Sequence, residues 1–188
     1  MTDKKNTKVR RTVTDGAEIS VMLSPAELEK RIKEMGREIS DDHADGDLVL
    51  VSVLKGSFMF AADLCRAVDV PHTIDFLACS SYHGDVVSSG EVQLTHDLSS
   101  PVAGKDVLIV EDIVDTGLTL SYLVELLKSR HPRSVKVASL LDKPSNRKKQ
   151  VKVDYVGFTI PNRFVIGFGL DYAGKYRNLP YIGVLEKV

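Results

Sequence analysis

Short apolar runs alternate with stretches whose apolar residues recur every three or four positions, and this order constrains the fold more than any other property of the chain. Leu48 to Leu54 is a nearly continuous apolar run, followed by Ala61, Leu64, Cys65 and Val68 at helical spacing. Residues 73–79 read as a second strand and 106–110 as a third; Leu120, Leu123, Val124 and Leu127 mark a helix directly after it, and 134–141 supply a fourth strand. Strands that are apolar at almost every position suit a sheet covered on both faces, which is the situation of parallel strands joined by helical crossovers. The expectation is an α/β domain with a mainly parallel central sheet flanked by helices, and with its ligands outside the carboxyl ends of the strands.

Ser24-Pro25-Ala26-Glu27 opens an earlier helix, with Ser as cap, Pro at the first helical position and Glu three residues after the cap. Leu28, Ile32, Met35 and Ile39 give that helix one apolar face. Four aspartates within residues 41–47 form a turn without the spaced ligands of a calcium loop. Short strand-like segments at 153–160, 164–167 and 181–185 complete the chain, and no repeat or low-complexity linker interrupts it.

At 188 residues the chain fits one domain, 1–188, with residues 1–18 read as a partly flexible, basic tail. Lys plus Arg number 25 against 26 Asp plus Glu, so no global charge steers the protein toward nucleic acid or an anionic membrane. The two cysteines, Cys65 and Cys79, are too few for a disulfide scaffold, and no apolar run reaches the ~18 residues of a membrane span. A cytoplasmic protein is the expectation. His43, His72, His83, His96 and His131 lack paired ligand spacing and read as surface or loop residues. Gly167-Phe-Gly169 lacks the third glycine of a dinucleotide loop, and no P-loop signature is present.

The densest chemical signal is residues 107–119, where a buried strand ends in Glu111 and Asp112, followed by Asp115, Thr116, Gly117, Leu118 and Thr119 at a helix start. Turn amides at a helix N-terminus favour a phosphate, and the threonine hydroxyls add donors. Carboxylates beside that phosphate would repel it, so they suit sugar hydroxyls or a bridging cation. A phosphorylated sugar fits this layout. Lys143 is an ammonium with three donors and no acceptor, so a group that it reads must present an acceptor.

Residues 107–119 resemble the phosphoribosyl pyrophosphate (PRPP) motif of type I phosphoribosyltransferases, and more closely that of the bacterial hypoxanthine-guanine type. Further matching segments are Lys55-Gly56-Ser57, Ser81-Tyr82, Asp142-Lys143-Pro144, residues 164–172 and Tyr176-Arg177, so the likeness covers nearly the whole chain. It implies the fold of that family, with a small hood built from the two chain ends. Glu111 and Asp112 would hold the ribose hydroxyls, while Asp115 to Thr119 would cradle the 5′-phosphate. Asp115 would also face N7 of the purine as general base. Lys55-Gly56 would contact pyrophosphate through a non-proline cis peptide, and Arg177 would contact it with a planar guanidinium. Ser81 and Tyr82 would belong to a mobile loop, 80–90, that closes over the reaction. Lys143 would read the six-position, Phe164 would stack on the base and the Val165 carbonyl would meet the two-amino group of guanine.

Asp171 would bind a second Mg²⁺ beside the purine, with Glu111 and Asp112 serving the first. Arg147, Lys148 and Lys149 are read as a solvated basic loop. The implied activity is purine salvage: transfer of the phosphoribosyl group of PRPP to N9 of hypoxanthine or guanine, giving IMP or GMP plus pyrophosphate, by a homodimer or homotetramer. The alternatives are a xanthine-preferring or pyrimidine phosphoribosyltransferase, and a non-catalytic nucleotide-sensing or RNA-binding regulator of the same fold.

Overall fold

The computed structural model describes residues 10–12, 18–81 and 92–187. In chain order the elements are β1 (Arg10–Thr12), β2 (Glu18–Leu23), α1 (Pro25–Asp42), β3 (Leu48–Leu54), α2 (Phe58–Ala67), β4 (His72–Ser81), β5 (Val92–His96), β6 (Asp106–Val114), α3 (Leu118–Lys128), β7 (Ser134–Asp142), β8 (Tyr155–Thr159), β9 (Val165–Ile166) and β10 (Ile182–Lys187). They form two sheets, in the orders β5-β4-β3-β6-β7-β8 and β1-β2-β10-β9. In the larger sheet β4, β3, β6, β7 and β8 run parallel and only β5 is antiparallel. The smaller sheet is antiparallel.

The period of two along a strand divides the core. Leu48, Leu50, Leu108 and Val110 face one cluster with Leu28, Ile32, Met35 and Ile39 of α1 and Phe60 and Leu64 of α2. Val49, Val51, Val107 and Ile109 face the other, with Leu120, Leu123 and Leu127 of α3. Residues 48–51 of β3 and 107–110 of β6 are therefore all spent on one apolar layer or the other, which is why these stretches read as apolar runs. α1 starts as expected: the Ser24 hydroxyl accepts from the Glu27 amide at 3.3 Å, and the Glu27 carboxylate accepts from the Ser24 amide at 2.8 Å. Gly36 lets α1 and α2 cross closely, because a Cβ there would overlap the backbone of Ala67.

The smaller sheet joins residues from both ends of the chain around Ile19, Ile166, Tyr176 and Tyr181. β2 and β5 have no counterpart in the apolar periodicity. In the basic tail, Arg10 and Arg11 pair with Ser20 and Ile19 as part of β1, and residues 1–9 lie outside the described residues. β6 continues to Val114, so Glu111 and Asp112 sit inside the ladder and not beyond its end; Glu111 lies opposite Ser139, and Ile113 opposite Leu141. His43 departs from the surface reading. It is buried at the end of α1, with Nδ1 3.6 Å from an Asp106 oxygen.

Candidate active site

The carboxyl ends of β3, β6 and β7 converge on one side of the sheet. At the end of β3 the Leu54–Lys55 peptide is cis, which places the unusual bond one residue before the Lys55-Gly56 peptide expected from the sequence. Lys55 is exposed and Gly56 half-buried. A Cβ on Gly56 would overlap the carboxylate of Asp112, so only glycine lets this turn lie against β6.

At the end of β6, Gly117 takes φ +79° and caps α3. The left-handed conformation and the Lys149 carbonyl packed against its Cα both require glycine. Glu111, Asp115, Thr116, Gly117 and Thr119 line a cup of about 100 Å³, the size class of a single anion. Leu118, the first residue of α3, is exposed, and its amide is held by the Thr116 hydroxyl at 3.4 Å.

Glu111 is buried and Asp112 beside it is half-buried. Burial pushes the Glu111 carboxyl well above the ordinary range, reinforced by the neighbouring Asp112 charge, and burial raises Asp112 to about 6 despite its own hydrogen bond from the Ile113 amide at 2.8 Å and the charge of Arg177. Glu111 Oε2 and Asp115 Oδ1 are buried without a hydrogen-bond partner. Such orphaned oxygens ask for a donor or a cation that the protein itself does not supply.

Lys143 follows β7 directly and is 7% exposed. Its amide donates to the Val114 carbonyl at 2.9 Å and its ammonium lies 3.4 Å from Asp115 Oδ2. The acid and the base assigned to purine recognition are thus in contact across the ends of β6 and β7.

The smaller sheet supplies the opposite wall. Gly169, at φ +101°, rests against the Gly56 carbonyl, and its own carbonyl accepts from Arg177 Nη1 at 2.6 Å. Arg177 Nη2 reaches Asp171 Oδ1 at 2.7 Å, while Asp171 Oδ2 accepts from the Gly174 amide at 2.8 Å. Asp171 and Arg177 therefore stand as one pair beside the Lys55-Gly56 turn. Phe164 is 55% exposed, with Tyr172 edge-on to it at 5.8 Å and 88°. Val165 is buried in β9 opposite Val184.

Ser81 ends β4 opposite Val92, and Tyr82 with the rest of the expected loop to residue 90 lies outside the described residues. A further expectation is overturned. Arg147 is not solvated: its side chain is 8% exposed and forms an ion pair with Asp142, whereas Lys148 and Lys149 are exposed as expected. Sequence reasoning missed Arg147 because three consecutive basic residues look like a surface loop. The signal that was available is Asp142, an acid immediately before Lys143 at the end of a buried strand.

Comparison with known proteins agrees with this geometry. The phosphoribosyl transferase domain family matches residues 23–173. The chain is 51% identical to the hypoxanthine-guanine phosphoribosyltransferase of Bacillus subtilis (strain 168) over 166 residues, covering 88% of this chain and 92% of that protein. At the same identity it matches the bifunctional protein TilS/HprT of Listeria monocytogenes, of which it spans 26%. A crystal structure of a hypoxanthine phosphoribosyltransferase from Staphylococcus aureus superposes with a TM-score of 0.85 at 48% identity, covering 88% of this chain and 90% of that one. The chain belongs to the phosphoribosyl transferase domain family, among its hypoxanthine-guanine members.

Proposed function

We propose that the protein transfers the phosphoribosyl group of PRPP to N9 of hypoxanthine or guanine, forming IMP or GMP and releasing pyrophosphate. The observation that carries this reading is the buried Lys143 ammonium held 3.4 Å from Asp115 beside the Thr116–Thr119 cup. A donor-only group and an acid stand where a base would meet a bound sugar phosphate. The relatives' names point to the same base class and give no support to a xanthine-preferring enzyme or a non-catalytic regulator.

In the reaction the bond between the anomeric carbon and pyrophosphate breaks as the bond to N9 forms, and positive charge develops on the sugar as in glycosyl transfer generally. Asp115 takes the proton from N7 of the purine. Lys143 donates to the six-oxo group, Phe164 stacks on the ring and the Val165 carbonyl receives the two-amino group of guanine. Glu111 and Asp112 accept from the ribose hydroxyls. The Lys55-Gly56 turn and Arg177 receive pyrophosphate.

Mg²⁺ belongs to this reading. Among the described residues no three candidate ligands cluster, which fits an ion that takes one or two carboxylates and fills its other positions with water and substrate phosphate. Asp171 would hold one such ion and the Glu111–Asp112 pair, with its orphaned Oε2, another. When bound, the ion neutralises the leaving pyrophosphate.

The reading also places the protein in the cytoplasm as a homodimer or homotetramer, with PRPP and six-oxopurines as its substrates; among the described residues no helix is long and apolar enough to cross a membrane. A spectrophotometric assay with PRPP, Mg²⁺ and each nucleobase in turn tests the function. Turnover of hypoxanthine or guanine but not adenine is expected, and no turnover of either, or preferential use of adenine, xanthine or a pyrimidine, refutes it.

A further inference from the structure

Arg147 is a buried guanidinium without a part in the chemistry above. It lies in a short segment that follows Lys143 and turns through a single 3₁₀ turn, Pro144–Asn146, before running behind the loop of residues 115–117. Its Nη2 binds Asp142 at the end of β7 and approaches the Val114 carbonyl at the end of β6, at 3.5 Å. That carbonyl also accepts the Lys143 amide. One side chain thus ties the ends of two parallel strands to the segment that follows them.

The segment makes contact where the phosphate cup turns. The amides of Lys148 and Lys149 both donate to the Thr116 carbonyl, at 2.9 and 3.0 Å. The Lys149 carbonyl and the Cδ of Arg147 pack against Gly117 so closely that a Cβ there would collide with the first and press on the second. A carbonyl fixed by two donors cannot rotate, so the Thr116–Gly117 peptide plane is set from behind, together with the direction in which its amide points. Gly117, to which that amide belongs, lines the cup assigned to the 5′-phosphate. Lys148 and Lys149 bear on this through their backbones, and their side chains face solvent.

We propose that Arg147 is a positioning residue for the 5′-phosphate subsite: anchored on Asp142 and Val114, it holds the 148–149 amides against Thr116 and so keeps the Thr116–Gly117 backbone in its anion-receiving form. The proposal rests on the function proposed above.

The test compares the affinity of the full-length protein for IMP and for inosine by calorimetry, since the ratio of the two isolates the phosphate subsite. In Arg147→Met the ratio is expected to fall ~10-fold while inosine binding stays within about twofold of the parent, the scale of losing one charged tether. Asp142→Asn, which keeps a neutral acceptor, should reduce the ratio by about threefold. The double variant should be no worse than Arg147→Met alone, because the two residues act as one unit. If Arg147→Met does not fold, Asp142→Asn carries the test by itself. An unchanged ratio in a folded variant overturns the proposal, and so does an equal loss of IMP and inosine, the mark of general loosening. A parent protein that binds IMP no better than inosine sinks the underlying function; a normal parent ratio with unaffected variants sinks the positioning role alone.

Discussion

Asp115 serves two neighbours at once. One carboxylate oxygen lies 3.4 Å from the Lys143 ammonium and the other is buried without a partner, at the edge of the cup formed by Thr116, Gly117 and Thr119. An oxygen already held by an ammonium is fixed in place, while the second remains able to take a proton. Asp115→Asn keeps the shape and loses that ability, so turnover should fall by ~10² to 10⁴-fold in steady-state kinetics with PRPP still binding; unchanged turnover would remove Asp115 from the proton transfer. Lys143→Ala should weaken six-oxopurine binding, read as a raised KM for hypoxanthine, with little change for PRPP. Equal losses for both substrates would make the buried lysine a structural strut.

Among the elements, β6 carries the most. Its carboxyl end presents Glu111 to Val114 to the site, and its amino end is pinned through Asp106. That carboxylate accepts from Arg133 Nε at 3.0 Å, from Arg133 Nη2 and from the Ser134 hydroxyl at 2.7 Å, tying the start of β6 to the start of β7. The Arg133 guanidinium, opposed by burial and helped by Ser134, holds the Asp106 carboxyl well below its ordinary value of 3.8. A depressed carboxyl contributes stability that is complete above its unfolded pKa and is lost as pH falls toward its folded one. Asp106→Asn should therefore cost ~2 to 3 kcal/mol at neutral pH. The gap between the two proteins should begin to close below about pH 5 and narrow steadily as the pH falls through the ordinary carboxylate range. Urea melts of both proteins at several pH values measure that gap, and one that stays constant through the acid range would show that the Arg133 pair carries no such weight.

Across the whole molecule, legibility followed burial. β3, β6 and β7 could be read because both faces of the sheet are covered there, so that Leu48, Val49, Leu50 and Val51 are apolar in succession for two different cores, whereas β4 was read from apolar residues of which Ile74 and Phe76 lie exposed. β5 was invisible because it is an edge strand with exposed Gln93 and Thr95, and β2 because its partner β10 lies more than 150 residues away. The PRPP segment was legible as chemistry because its acids, threonines and glycine are contiguous. What escaped were relations that only the folded backbone sets up: the Arg177–Asp171 pair set against Gly56, the placing of the cis bond at Leu54–Lys55 and not one residue later, and Arg147 drawn inward by Asp142.

The pairing of β9 with β10 alone has a consequence for the order in which the protein comes into being. A growing chain emerges amino end first. Once residue 159 is available, β6, β7 and β8 have every neighbour they will ever have, and the phosphate cup can set. β9, with Val165, must wait for Val184 to arrive before it has a strand to pair with. In strand pairing, the side of the site that holds Thr116 to Thr119 and Lys143 is completed first, and the side that holds Val165 is among the last things made.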